Sequence, residues 1–332
     1  MSVAVSYGVR RLGTHGGAIK FRELERFFPN RTRGYSVLYL GSSTMPPNAE
    51  RLVARARRRG AAFAWNQNGV AYPGWHGPGW EETNAPKARA LHAADHVFFQ
   101  SEFCRVSSDR FLGERQGPWE VLHNPVDTER FTPGARHVPG TGGRLTLLLG
   151  GNQYQRYRLE AALGTLALLP DALLLVSGAL SWHPDRRRSE AEGRELVARL
   201  GLGERVELLG PYSQEEAPQV MRRADLLLHT KYNDPCPTVV LEAMACGLPV
   251  VYSASGGVPE LVGEEAGAGG GVPAPLDWEQ DHPPDPDALA EAVRRVAERL
   301  DDYRAAAREQ ALRFDLRPWV ERHREVFEGL AR

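Results

Sequence analysis

Short apolar runs alternate with segments whose apolar positions recur at helical spacing along most of the chain. In the first part, the apolar runs predict strands and the periodic segments, which end at Pro29 and Gly60, predict helices. The predicted strands are 2–9, 35–41, 61–69, 96–101 and 119–125, and the predicted helices are 18–28 and 48–60. This alternation predicts layers of helices on a parallel sheet.

The pattern breaks at 131–144, which is rich in Pro and Gly and has no periodicity, so a linker is predicted there. Alternation then restarts. The further predicted strands are 144–150, 172–178, 205–210, 225–230 and 248–253, and the further predicted helices are 155–168, 189–201, 213–224 and 237–246. We therefore expect an α/β fold of two doubly wound, Rossmann-like domains with a cleft between them, and ligands beyond the carboxyl ends of the strands.

Three segments follow from this pattern: a domain at 1–140, a domain at 141–313, and a helix at 314–332 that returns to the first domain. The last helix has one apolar face, formed by Trp319, His323, Val326, Phe327 and Leu330.

Composition narrows the class of protein. The 332 residues carry 41 Lys and Arg against 42 Asp and Glu, so no overall field favours nucleic acid. The chain shows no signal-peptide pattern and no apolar run of membrane-span length. Three scattered cysteines suit neither a disulfide framework nor a zinc site, so a cytoplasmic location is expected.

The stretch "DPCPTVVLEAMACGLPVV" (234–251) places one carboxylate, Glu242, in an almost wholly apolar helix. Pro237 suits the first position of that helix, and Gly247 suits its end. A lone buried carboxylate costs several kcal/mol, roughly, unless something donates hydrogen bonds to it. Because no Lys or Arg is near in sequence, we expect a partner from elsewhere in the fold or from a ligand.

The start of the same helix predicts an anion site. The amides of Thr238 and Val239 lie at a positive dipole end, and Asp234 lies in the loop just ahead. A carboxylate, anion-binding amides and a second carboxylate match the hydroxyls, diphosphate and ribose diol of a phosphate-linked sugar.

These residues resemble the family 4 retaining glycosyltransferases of the GT-B fold. That family carries an acid, seven residues and a second acid, followed by Ala-Met-Ala-x-Gly-x-Pro-Val; Asp234 and Glu242 have this spacing, with Asp in place of the usual first Glu. The motifs "SGGVPELV", "HNPVDTERFTP" and "GGAIKFRELERFF" also resemble the family.

The resemblance implies that Glu242 binds the ribose diol and that Asp234 contacts the sugar at the reaction centre. It also implies a metal-independent transfer from a UDP- or GDP-sugar, with no cofactor, in which Arg156 receives the leaving diphosphate. The usual Arg of that loop is replaced by Gly151 or Asn152, and Arg158 is the compensating candidate. The expected catalytic residues are Asp234 and Arg156.

The remaining site residues are expected by their position along the chain. The donor-binding set is Gly16, Gly17, Arg156, Arg158, Gly178, Pro211, Tyr212, Cys236, Thr238, Val239 and Glu242. The acceptor-side set is His15, Asn66, Asn68, Trp75 and His76, since Asn68 or Gln67 replaces the usual histidine of the first domain. The acceptor is expected to be a glycan, a lipid-linked glycan or a small molecule.

Alternatives stay open at several positions. Arg51–Arg59 is either a peripheral contact with the inner membrane face or a solvated basic helix face. Asp285 and Asp287 are either a metal-binding pair or a helix cap, and the cap is favoured. A dinucleotide oxidoreductase is disfavoured because the first strand lacks a G-x-G-x-x-G turn. A nucleotide-sugar-binding protein with impaired catalysis is the alternative function.

Overall fold

The computed structural model describes residues 3–12, 16–134 and 143–332. The chain divides into two compact units. The first unit comprises Met1–Pro125, Asp277–Gln280 and Phe314–Arg332, and the second comprises Val126–Leu276 and Asp281–Arg313. The chain thus enters the second unit before the boundary expected at 140, and a short segment near 277 returns to the first unit, which the sequence did not predict.

The first unit is built on a five-stranded sheet of spatial order β1-β2-β3-β4-β5 with every neighbouring pair parallel. Its strands are β1 Val5–Ser6, β2 Val37–Gly41, β3 Ala62–Gln67, β4 His96–Phe99 and β5 Trp119–Val121. The helices between them are α1 Gly16–Glu25, α2 Ala49–Arg58, α3 Pro73–His76, α4 Trp80–Ala93 and α5 Glu102–Leu112. The helices α3, α4 and α5 were not predicted. In α4, the internal Pro86 interrupts the helical pattern.

The second unit is built on a six-stranded parallel sheet of order β11-β10-β9-β6-β7-β8. Its strands are β6 Leu145–Leu149, β7 Ala172–Ser177, β8 Val206–Gly210, β9 Leu226–His229, β10 Val250–Ala254 and β11 Gly269–Pro273. Its helices are α6 Arg156–Ala167, α7 Arg186–Arg199, α8 Ala217–Met221, α9 Thr238–Ala245, α10 Val258–Val262, α11 Pro286–Glu298 and α12 Leu300–Leu312. Its central strands are mostly apolar and buried, as is typical of strands covered on both faces.

The last helix, α13 Leu316–Leu330, belongs to the first unit. Trp319, His323 and Phe327 are buried on its predicted apolar face, and the His323 ring stacks on Phe98 of β4 at 4.5 Å between ring centroids. Helix α13 therefore covers one face of the first sheet, which confirms the return to the first domain.

An aromatic cluster on the other face of the first sheet includes Trp278 from the returning segment. Its ring stacks on Phe103 of α5 and meets Tyr72 edge-on, with centroids 5.4 and 5.1 Å apart. The backbone carbonyl of Trp278 accepts a hydrogen bond from the Gly74 amide at 2.8 Å. This short segment is therefore a part of the first unit's core.

Within the described ranges, no helix combines the length and hydropathy needed to cross a membrane.

Candidate active site

Helix α9 contains the carboxylate that the sequence singled out. It begins at Thr238, and Pro237 precedes it in extended conformation with φ −73° and ψ 117°. Pro237 is thus the N-cap residue, whereas the sequence predicted it as the first residue of the helix. The amides of Thr238 and Val239 precede the first intrahelical hydrogen bonds and leave a positive end at this terminus.

Glu242 is only 7% exposed, and its Oε1 accepts a hydrogen bond from Gln214 Nε2 at 2.6 Å. Gln214 lies in the loop after β8, and the sequence did not identify it because a neutral amide in a polar loop has no distinctive pattern. Tyr212 lies nearby: burial first, and then the charge of Glu242, raise the pKa of its hydroxyl. Glu242, Gln214 and Tyr212 therefore form one polar patch, and two of them belong to the expected donor-binding set.

Asp234 lies ahead of α9 in a cluster of charged side chains. Its Oδ2 is 3.3 Å from His229 Nε2 and 3.3 Å from Lys231 Nζ. Burial alone would raise the pKa of this carboxyl, but the charges of Lys231 and Arg158 and the contact with His229 outweigh it and hold the pKa well below its usual range. Asp234 is therefore ionised at neutral pH, with 14% of its side chain exposed.

The backbone around Asp234 is fixed by the loop after β10. The Gly257 amide donates to the Asp234 carbonyl at 2.9 Å, and the Asn233 amide donates to Ser255 Oγ at 2.8 Å. A Cβ on Gly256 would lie 2.5 Å from the Asp234 carbonyl oxygen, so only glycine fits there. Asn233 has φ +49°, and no other non-glycine residue of the described ranges has a positive φ. Backbone strain of this kind is common at functional sites.

The glycines after β6 bring a second loop to the start of α9. A Cβ on Gly150 would lie 2.8 Å from Val239 Cγ2, and one on Gly178 would lie 2.3 Å from the Gly151 carbonyl oxygen. The Ala179 amide also donates to Asn152 Oδ1 at 2.8 Å. The carboxyl ends of β6, β7 and β9 therefore meet at one edge of the sheet, as a parallel sheet requires.

The two arginines at the start of α6 differ sharply. Arg156, the expected catalytic cation, has 43% of its side chain exposed, and its Nε contacts Glu160 Oε1 at 3.0 Å one turn along the same helix. Arg158 is buried, its Nη1 donates to the Asn152 carbonyl at 2.8 Å, and its charge acts on Asp234. The structure thus groups Arg158 with Asp234 and pairs Arg156 with Glu160 at the surface, and the catalytic role expected of Arg156 stays a prediction.

Several buried polar atoms at this edge lack a hydrogen-bond partner among the described residues. They are Gln153 Oε1, Gln155 Oε1, Arg158 Nε and His229 Nδ1. Buried polar groups in folded proteins are nearly always satisfied, so such a concentration is typical of a site whose ligand supplies the missing partners. Within the described ranges, no group of three or more His, Cys, Asp or Glu residues is arranged to hold a metal ion.

The expected acceptor-side residues lie in the first unit. Asn66 is buried; its Oδ1 accepts from Lys20 Nζ at 2.5 Å, and its Nδ2 donates to the Tyr39 hydroxyl at 3.1 Å. Asn68 Oδ1 lies 3.3 Å from the same ammonium group. The observed contacts of Asn66 therefore hold Lys20, which sequence analysis missed because a lysine within a helix normally faces solvent.

The rest of that set is spread over the first unit. Trp75 is exposed, and the exposed His76 bonds the Thr83 hydroxyl through Nε2 at 3.0 Å, both on or beside α3. Gly16 and Gly17 form the first residues of α1, and His15 lies outside the described residues. The acceptor-side roles of these residues stay predictions. Among the donor-side residues, Cys236 is a buried thiol in the loop before α9, and Pro211 is exposed after β8.

Solved structures show the class of fold. Sucrose-phosphate synthase from Thermosynechococcus elongatus aligns with 93% of this chain and 76% of its own, at TM-score 0.74 and 21% identity. Anabaena HepE, in complex with UDP-glucose, aligns with 94% of this chain and 82% of its own, at TM-score 0.71 and 18% identity. WaaG, a glycosyltransferase involved in lipopolysaccharide biosynthesis, aligns with 99% of this chain and 100% of its own, at TM-score 0.67 and 17% identity. The fold is the GT-B fold, with two Rossmann-like parallel-sheet units, as expected.

The comparison with protein families concerns the second unit. Residues 152–313 match the family model of glycosyl transferases group 1. Among curated proteins, the D-inositol 3-phosphate glycosyltransferase of Mycobacterium sp. (strain KMS) is 36% identical over 152 residues, which is 43% of this chain and 33% of that protein. The same-named protein of Mycobacteroides abscessus is 30% identical over 151 residues, which is 44% of this chain and 34% of its own. The match thus spans about a third of the length of these relatives.

Proposed function

We propose that the protein is a retaining glycosyltransferase of family 4, which moves a sugar from a nucleoside diphosphate sugar to an acceptor hydroxyl. The observation that carries this proposal is the edge of the second sheet where an ionised Asp234, the free amides of α9 and the buried Glu242 meet several unsatisfied polar atoms. The family match over 152–313 supports it, because the match covers all of these residues.

The roles follow from chemistry and position. The amides of Thr238 and Val239 bind the diphosphate, since a helix N-terminus is an anion site. Glu242 accepts hydrogen bonds from the ribose diol, with Gln214 and Tyr212 beside it. In the reaction the bond from the anomeric carbon to the phosphate oxygen breaks, and its electron pair stays on that oxygen. The acceptor oxygen forms the new bond on the same face, and its hydroxyl proton passes to the departing phosphate oxygen.

Asp234 acts on the sugar. As the donor bond breaks, the anomeric carbon gains positive charge, and a nearby carboxylate stabilises that charge more than it stabilises the neutral ground state. The low pKa of Asp234 serves this role because the group must remain ionised.

The donor is a UDP- or GDP-sugar, in line with the UDP-glucose in the HepE complex. The acceptor is a glycan, a lipid-linked glycan or a small molecule, and the D-inositol 3-phosphate glycosyltransferases among the relatives make a phosphorylated polyol one compound to test. A cytoplasmic location, with a peripheral membrane contact through Arg51–Arg59, is part of the same proposal.

Thermal-shift measurements with UDP- and GDP-sugars test the proposal, since a ligand at a hundred times its dissociation constant stabilises by about 2.7 kcal/mol. We expect one donor to raise the midpoint and to release free nucleoside diphosphate slowly without acceptor. If no donor in the panel stabilises the protein, the proposal is wrong.

The alternative is a nucleotide-sugar-binding protein with impaired catalysis. It is favoured by one observation, the surface ion pair that occupies Arg156. Donor binding without hydrolysis or transfer across the whole panel would support it.

A further inference from the structure

The loop after β6 contains no cation where the leaving diphosphate needs one. Residues 150–155 read Gly-Gly-Asn-Gln-Tyr-Gln. The first cation beyond them, Arg156, is exposed and paired with Glu160. Arg158 is buried and already donates to the Asn152 carbonyl. A cation from a different element is therefore a further candidate to stabilise the leaving group.

Lys231 meets this need from the loop after β9. Its Nζ lies 3.3 Å from Asp234 Oδ2, and 20% of its side chain is exposed. Its positive charge helps to lower the pKa of Asp234. Burial raises the pKa of Asp281, and the charge of Lys231 partly offsets that rise. The ammonium group thus lies among carboxylates in the loop that leads into α9. A lysine is a compact point charge on a flexible stem, which suits a phosphate oxygen that moves during reaction.

Asp234 does not depend on Lys231 alone. His229 Nε2 lies 3.3 Å from the same carboxylate oxygen, and neither ring nitrogen of His229 has a hydrogen bond of good geometry. The charge of Arg158 also acts on Asp234. When Lys231 turns away, the His229 N–H is therefore available to donate to Asp234, and the carboxylate keeps a positive neighbour in Arg158.

We infer that Lys231 is a catalytic residue: it pairs with Asp234 in the free protein and binds the β-phosphate of the nucleoside diphosphate when the donor is present. The inference rests on the proposed function and deepens it by naming the cation for the leaving group. Lys231 transfers no proton: the C–O bond breaks, its electron pair goes to the phosphate oxygen, and the ammonium group donates a hydrogen bond to the phosphate throughout.

Calorimetric titration of UDP, UMP, GDP and GMP separates this role from a structural one. In Lys231→Met we expect the preference for the diphosphate over the monophosphate to fall about 10- to 100-fold, as for the loss of one charge-assisted hydrogen bond. Affinity for the monophosphate should stay within a few fold. Lys231→Arg should retain most of the preference, and Arg186→Met, which removes an exposed arginine paired with Glu190 on α7, is the matched control that should leave it unchanged.

The monophosphate titration also reports whether the variant is folded. If Lys231→Met does not fold, Lys231→Met combined with Asp234→Asn removes the opposing charge and allows the same titration. Equal loss of diphosphate and monophosphate affinity would assign Lys231 a structural role and overturn the inference. Loss of the preference in Arg156→Met with retention in Lys231→Met would also overturn it and leave the proposed function intact. Absence of binding of all four nucleotides to the unmodified protein would overturn both.

Discussion

Each unit has a cluster of polar side chains at the carboxyl edge of its sheet, and the two clusters differ in how fully they are bonded. In the first unit, Lys20 Nζ donates to Asn66, and Asn66 also accepts from Gln100 at 2.8 Å. The amide of Asn66 donates to the Tyr39 hydroxyl, which bonds His323 Nε2 at 3.0 Å. None of these five side chains has a buried polar atom without a partner.

In the second unit, the cluster around Asp234 is charged and incompletely bonded. Among the described residues, Arg158 Nε and His229 Nδ1 are buried without a hydrogen-bond partner, and Lys231 Nζ lies 3.3 Å from the carboxylate of Asp234. The first cluster stabilises the fold through bonds that need nothing added. The second contains donors and acceptors whose partners come from a ligand or from water. The comparison therefore assigns stability to the first cluster and chemistry to the second.

The largest effect is expected from Asp234→Asn. The amide keeps the shape of the side chain but loses the charge that stabilises the anomeric carbon, so turnover should fall about 10²- to 10³-fold. Nucleotide affinity should stay within a few fold, because the proposed contacts with the ribose and the diphosphate are made by α9 and Lys231. Single-turnover rates and calorimetry measure the two quantities. Loss of nucleotide binding with normal turnover at saturation would reverse the roles given to Asp234 and Glu242.

Glu242→Ala should mainly weaken nucleotide binding. The proposed contact with the ribose diol would exist before and after reaction, so we expect a loss of about 1.5–3 kcal/mol in affinity for the bare nucleoside diphosphate. Glu160→Ala removes an exposed carboxylate and is the control. Unchanged affinity in Glu242→Ala would make Glu242 an internal structural acid bonded to Gln214.

Tyr39→Phe tests the first cluster. It removes one hydroxyl and leaves His323 Nε2 and the Asn66 amide without that partner, so the free energy of unfolding should fall by about 1–2 kcal/mol. Nucleotide affinity should not change. Denaturant unfolding and UDP or GDP titration provide the two measurements, and a clear loss of nucleotide affinity would contradict the separation of roles.

The smallest effect is a dependence of stability on pH. Burial lowers the pKa of His323 from 6.5 to about 3. Below pH 6.5 the unfolded chain therefore takes up a proton that the folded protein does not, so stability falls with falling pH, by about 1 kcal/mol or less between pH 7 and 6. Burial also lowers the pKa of His229, so His229 makes a contribution to stability that likewise falls as the pH falls. The fall should be smaller in His323→Gln, and an equal fall in both proteins would show that His323 titrates normally.

Patterns of apolar residues predicted the fold well because parallel strands covered on both faces are apolar throughout. The same reasoning located α9 and its buried Glu242. It missed α4, where an internal proline hides the helix, and it extended β1 beyond Val5–Ser6. Element boundaries depend on caps and loop contacts, which an apolar pattern does not contain.

The candidate site was predictable where residues are close in sequence, as in Asp234 and the start of α9. Interactions between distant segments were not predictable, because they depend on which strands are neighbours in the sheet. Examples are the hydrogen bond of Gln214 with Glu242 and the charge interaction of Arg158 with Asp234. Arg156 was expected to face the ligand from its place in the loop, but its i,i+4 contact with Glu160 is equally local and was overlooked.

The returning segment and α13 have a consequence for protein engineering. A fragment that stops at Pro125 lacks Trp278, Trp319 and Phe327, three buried side chains of the first unit. Truncation of a large buried aromatic side chain costs about 3–5 kcal/mol, so three such losses exceed the usual stability of a domain. Neither unit is therefore a contiguous cassette. A chimaera that exchanges the second unit has to take residues 277–280 and 314–332 from the protein that supplies the first unit.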